Sequence, residues 1–140
     1  MKYALIGLDL DGTLLTPGGE LSRASRAAIA AAQEAGALVV PCTGRAWHES
    51  KYLFDGSTGD PPVPGLSLGV FIIGACIAEI ATGASVDLAL IEPHLAWEVV
   101  ELLKDEPEAV LVFCESAQAG HHYLVTGNGE LSDNTRWWFE

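Results

Sequence analysis

Asp9 and Asp11 stand one residue apart at the end of the apolar run Ala4-Leu5-Ile6-Gly7-Leu8, and Gly12 and Thr13 follow at once. A carboxylate such as Asp9 can attack phosphorus and form an acyl-phosphate, which divides one hard displacement into two easier ones. Asp11 can give a proton to the leaving oxygen and later take one from water. Gly12 lets the backbone turn sharply and come close to a phosphate, and Thr13 can fix that turn. Two carboxylates facing a phosphate repel it. A hard divalent cation held by oxygen ligands, Mg²⁺ above all, resolves that conflict.

A second group with chemical potential lies at Thr43-Gly44-Arg45, again after an apolar run, Ala37 to Cys42. A hydroxyl, a flexible backbone N–H and the start of a helix expected over residues 46–54 form a ready anion site. Either motif alone is common, as a strand-end turn or as a turn with an exposed arginine. Their spacing is what joins them. Between the two runs a helix is expected from Ser22 or a neighbour to about Ala35, alanine-rich and stopped by Gly36. Strand, helix and strand make one right-handed βαβ unit, which brings both motifs to the same end of a parallel pair.

Residues 55–68, rich in Gly, Pro and Ser, read as a surface loop. Gly59-Asp60 lies within it and follows no strand, so it is not taken as a metal-binding motif. Val70 to Ile73 reads as a third strand, and Cys76–Ala81 and Ala84–Ile91 as a hairpin around Thr82-Gly83. From Glu92 the pattern changes. Pro93 to about Lys104 reads as an amphipathic helix with Leu95, Val99, Leu102 and Leu103 on its apolar side. Ala109–Cys114 and His122–Val125 read as an antiparallel pair of strands, an α+β arrangement.

The 140 residues suffice for a domain with a real core, and 49% are hydrophobic. The net charge of −12 is uneven, with −2 in residues 1–70 and −10 in residues 71–140. This balance disfavours nucleic acid and anionic membranes as partners. No apolar stretch is long enough to span a bilayer and no secretory signal is evident, so a soluble cytoplasmic protein is expected. Cys42, Cys76 and Cys114 match neither a zinc set nor a disulfide framework and are expected as reduced, mostly buried thiols. His121 and His122, adjacent on a strand, point to opposite faces and do not suggest a shared metal ion. Trp137-Trp138 could form a partner patch or belong to a core.

The Asp9-Leu10-Asp11-Gly12-Thr13 and Thr43-Gly44-Arg45 motifs together resemble the haloacid dehalogenase (HAD) superfamily, and the Thr-Gly-Arg form resembles its Cof-like phosphatases. The resemblance implies a partial Rossmann-like α/β core over residues 1–83 and part of an α+β cap domain over residues 84–140. It implies Asp9 as nucleophile and Asp11 as general acid/base. Mg²⁺ would sit on the Asp9 carboxylate and the Asp11 backbone carbonyl, and Gly12, Thr43, Gly44 and Arg45 would bind or line the phosphoryl group. The expected substrate is a small phosphorylated metabolite such as a sugar phosphate. Where Cof-like proteins often carry Asn-Gly-Ala, this chain has Ile73-Gly74-Ala75, which removes a polar side chain near the expected site.

Full-length members add a lysine motif and a second acidic motif. Lys2, Lys51 and Lys104 are the lysines present, none in a suitable context, and no such acidic motif follows. The expectation is a truncated or incomplete phosphatase, weak alone, with a homodimer or a completing chain as partner. A phosphomutase using the same aspartates and a non-catalytic interaction module are the alternatives.

Overall fold

The computed structural model describes residues 3–57, 62–115 and 119–137. Gly59-Asp60, Lys2 and Trp138 lie outside them. Residue contacts divide the chain into two compact units, 1–89 and 90–140. The division falls after residue 89 because the strand following Gly83 remains hydrogen-bonded within the first unit.

In the first unit β1 (Leu5–Leu8) pairs in parallel with β2 (Leu38–Pro41), in the register Leu5↔Leu38 to Leu8↔Pro41. They are joined by α1 (Arg23–Glu34), whose N-cap Ser22 accepts the Ser25 N–H at 3.0 Å, as expected of a capping serine. A parallel bridge, Cys42↔Val70, brings β3 (Leu68–Phe71) beside the end of β2. β4 (Cys76–Glu79) and β5 (Ser85–Leu88) continue antiparallel from β3. This is a mixed α/β architecture with a parallel pair at its centre, a partial Rossmann-like core.

Two apolar clusters hold the unit together. One gathers Ile29 of α1 with Leu21, Ala37, Val39 and Val63, and the other gathers Leu10, Leu53, Phe54, Phe71, Ala78 and Ile80. Leu14, Leu15 and Leu66 pack against both. Val63 and Leu66 correct the expectation of a surface loop over residues 55–68, because apolar side chains in an irregular segment still gain by burial. β1 is covered on one face only, with Leu5 61% exposed.

Two elements differ from the sequence reading. The helix expected over residues 46–54 is α2 (Trp47–Ser50) followed by a single 3₁₀ turn (Lys51–Leu53). The third strand ends at Phe71, not Ile73, because Ile72 and Ile73 take left-handed φ of 52° and 54°. Their N–H groups bond to Arg45 O and Thr43 O, off the line of a strand.

The second unit contains α3 (Pro93–Leu103), β6 (Val110–Phe113), β7 (Tyr123–Thr126) and α4 (Asp133–Trp137). β6 and β7 are antiparallel, and the Phe113 and Tyr123 rings meet edge to face at 5.0 Å. The buried residue of α3 is Val100, whereas Leu95, Val99 and Leu102 are exposed. The apolar stripe read from the sequence is therefore not the packed face. A helix that is apolar nearly all round does not reveal by periodicity which side a small sheet covers. Among the three thiols, all free, only Cys76 is buried. Among the described residues no helix is long and apolar enough to cross a membrane.

Candidate active site

The two strand-end motifs meet because β1 and β2 leave their register together. Leu8 pairs with Pro41, and Cys42 N–H then donates to Leu8 O at 2.7 Å, so Asp9 and Thr43 emerge from the same end of the parallel pair. Thr43 N–H donates to Val70 O at 2.9 Å, fixing this turn to β3 as well.

Leu10 organises the first motif. Its side chain is fully buried, whereas Asp9 and Asp11 on either side of it are exposed. Burial of a leucine, worth about 2 kcal/mol, thus turns both carboxylates outward. Gly12 follows with φ 70° and ψ 0°, a left-handed conformation that favours glycine, and Leu15 N–H closes the turn on Leu10 O at 3.0 Å. A Cβ at Gly12 would meet nothing within 4 Å, so conformation, not space, calls for glycine there. The Thr13 hydroxyl donates to Asp9 Oδ2 at 2.9 Å, orienting the carboxylate.

In the second motif Thr43 is 5% exposed, and its Oγ1 accepts the Arg45 N–H at 3.2 Å. Gly44 is exposed, and a Cβ there would lie 3.5 Å from Ile73 Cγ1, an ordinary contact. Arg45 spans the two motifs. Its Nε donates to Asp11 Oδ2 at 2.8 Å and its Nη2 to Asp11 Oδ1 at 2.6 Å, a two-pronged ion pair. Arg45 Nη1 also donates to Tyr52 Oη at 3.3 Å, and Tyr52 Oη donates to Gly19 O at 3.5 Å. The hydrogen bond to Asp11 pushes the guanidinium further above its already high pKa, against the opposing effect of partial burial. It remains a fixed positive charge.

The structure thus joins Asp9 to Thr13, Asp11 to Arg45, and Arg45 to the Thr43 side chain. Arg45, read from the sequence as lining the phosphoryl site, is engaged with Asp11. Tyr52 and Glu49 escaped the sequence reading. Tyr52 supports Arg45 from the 3₁₀ turn, and the Glu49 carboxylate accepts the Ala46 N–H at 2.6 Å, capping α2. The glutamate three residues after Ala46 is the signal that could have found the cap. Tyr52 carries no comparable local mark.

As a metal site the arrangement is sparse. Among the described residues no group of three His, Cys, Asp or Glu could hold an ion. Both Asp11 carboxylate oxygens are taken by Arg45, which leaves the Asp9 carboxylate and backbone carbonyls as donors. This all-oxygen set fits Mg²⁺, which commonly uses one or two carboxylates and completes its shell with water and substrate phosphate.

An α/β core that delivers a paired-aspartate turn and a Thr-Gly-Arg turn to one end of its parallel strands defines the class. The profile of the haloacid dehalogenase-like hydrolases matches residues 6–136, and the chain belongs to this family. It is 50% identical over 50 residues to the Bacillus subtilis 5-amino-6-(5-phospho-D-ribitylamino)uracil phosphatase YwtE, covering 36% of this chain and 18% of that protein. A haloacid dehalogenase-like hydrolase from B. subtilis superposes with a TM-score of 0.66 at 29% identity, over 79% of this chain and 36% of that one. A phosphatase of the haloalkanoate superfamily from Bacteroides thetaiotaomicron shares the fold, with a TM-score of 0.64 at 19% identity, over 98% of this chain and 52% of its own. The chain spans between 18% and 52% of the length of these relatives.

Proposed function

We propose that the chain carries the nucleophile and phosphoryl-binding motifs of a Mg²⁺-dependent phosphomonoester phosphatase acting on a small phosphorylated metabolite. The observation that supports this reading is the outward display of Asp9 and Asp11 on either side of buried Leu10, at the strand ends where Thr43 and Gly44 also emerge. Asp9 attacks phosphorus, the bond to the substrate oxygen breaks, and Asp11 supplies the proton that the leaving alkoxide takes up. Water then attacks the aspartyl-phosphate, giving its proton to Asp11 and releasing phosphate with Asp9 restored. The Thr43 hydroxyl and the N–H groups of Gly44 and the Gly12 turn hold phosphoryl oxygens. Mg²⁺ on the Asp9 carboxylate and the Asp11 carbonyl would offset the repulsion between carboxylate and phosphate.

For Asp11 to act as an acid the pair with Arg45 has to open, since the guanidinium engages both of its oxygens. Arg45 released in this way is a positive group for the phosphate. Lys51 lies over the Trp47 ring, 5.7 Å from its centroid. With Arg45 held by Asp11, turnover is expected to be slow, on the order of hundredfold below that of a site with a free phosphate-neutralising group.

The test is phosphate release from phosphomonoesters, with and without a chelator, alongside Mg²⁺-dependent binding of beryllofluoride, which mimics a phosphorylated carboxylate. Asp9→Asn should abolish both signals while leaving the circular dichroism spectrum unchanged. Wild-type activity in Asp9→Asn would overturn the assignment. A second reading, a self-associating module, is favoured by the exposed apolar residues of α3, where Leu102 is 80% exposed.

A further inference from the structure

Ile73 is an aliphatic side chain, 88% exposed, beside a site otherwise built from polar groups. Its backbone is left-handed, with φ 54° and ψ 29°, a conformation that a β-branched residue adopts at a cost and that glycine or asparagine adopts more readily. The preceding residue, Ile72, is left-handed too. Three hydrogen bonds impose this course: Ile72 N–H to Arg45 O at 3.0 Å, Ile73 N–H to Thr43 O at 3.2 Å and Ala75 N–H to Ile72 O at 3.0 Å. The first two tie the turn to the Thr43-Gly44-Arg45 motif itself. Ile72 repays part of the strain by packing against the Leu10 and Phe71 cluster. Ile73 packs into neither core cluster.

Its position explains what the core does not. Ile73 Cγ1 lies 3.5 Å from the point a Cβ of residue 44 would occupy, so the side chain stands over Gly44. A phosphoryl group bound at the Gly44 N–H would have Ile73 beside it, close enough for the group esterified to it to touch the isoleucine. We infer that Ile73 is a specificity-determining residue, favouring phosphomonoesters whose leaving group offers an apolar or planar face over those with a purely hydroxylated one. This inference rests on the phosphoryl site proposed above.

The test compares the binding of inorganic phosphate, phenylphosphonate and 2-hydroxyethylphosphonate, the last two with P–C bonds that resist hydrolysis, by calorimetry in the presence of Mg²⁺. Wild type is expected to prefer phenylphosphonate by about five- to tenfold, the effect of covering part of one aliphatic side chain. Ile73→Ala and Ile73→Asn should bring that preference close to one. Because the side chain is exposed, both variants should fold, which their circular dichroism checks. Phosphate binding without a preference in wild type, or with the same preference in all three proteins, overturns the assignment of Ile73 alone. Failure of inorganic phosphate to bind wild type overturns the phosphoryl site and this inference with it.

Discussion

Asp11 and Arg45 carry the sharpest tension at the residue scale. The proposed chemistry asks Asp11 for a proton, yet both of its carboxylate oxygens accept hydrogen bonds from Arg45. Arg45 is 14% exposed at its side chain and Asp11 55%, so water screens the pair and its coupling is modest despite the short contacts. A double-mutant cycle with Arg45→Ala and Asp11→Ala, followed by urea denaturation, should give a coupling energy of about 0.5–1 kcal/mol. A coupling near zero would show that the two-pronged pair does not persist in solution. Gly12 offers a cleaner case. Its substitution by alanine meets no neighbour but keeps φ at 70°, so the cost is conformational, about 1–2 kcal/mol. Thermal denaturation of Gly12→Ala should show that loss, and Gly12→Asn a smaller one.

At the scale of elements, the Trp47 ring ties the β4–β5 hairpin to α2. Trp47 Nε1 donates to Ile80 O at 3.1 Å, and a Cβ at Gly83 would fall 2.6 Å from the same indole. Gly83 also has φ 73°. Both effects act against Gly83→Ala, which should destabilise the protein by about 2–4 kcal/mol, measured by urea denaturation. Wild-type stability would mean that the hairpin turn does not press on Trp47. The same indole braces α2, and α2 leads directly into the 3₁₀ turn that carries Tyr52 to Arg45. Damage at Gly83 should therefore reach the site through packing.

At the scale of the whole molecule, apolar surface remains uncovered in each unit considered separately. Leu5 and Leu38 are exposed on the parallel pair of the first unit, and Leu95, Trp97, Val99 and Leu102 on α3 of the second. Such patches drive association. Light scattering over a rising concentration series should show the chain associating, and Leu102→Glu with Val99→Glu should weaken that association without loss of helicity. A clean monomer throughout would remove the second functional reading.

The sequence by itself determined which groups the first unit brings together. Two carboxylates, a glycine and a hydroxyl after an apolar run, and Thr-Gly-Arg after another, are local patterns, and the βαβ spacing between them forces their meeting because parallel strands joined by a helix share one end. The capped start of α1 and the hairpin around Gly83 were equally legible, since capping serines and turn glycines act over a few residues. Tertiary structure alone decided how those groups are engaged. Arg45 grips Asp11 across thirty-four positions of chain, a pairing no short pattern encodes. The third strand stops at Phe71 because Thr43 and Arg45 draw the next two N–H groups aside, although Ile72 and Ile73 are strand-forming residues by local preference. The packed face of α3 was hidden for a related reason: an apolar helix offers several faces, and only the sheet it meets selects one.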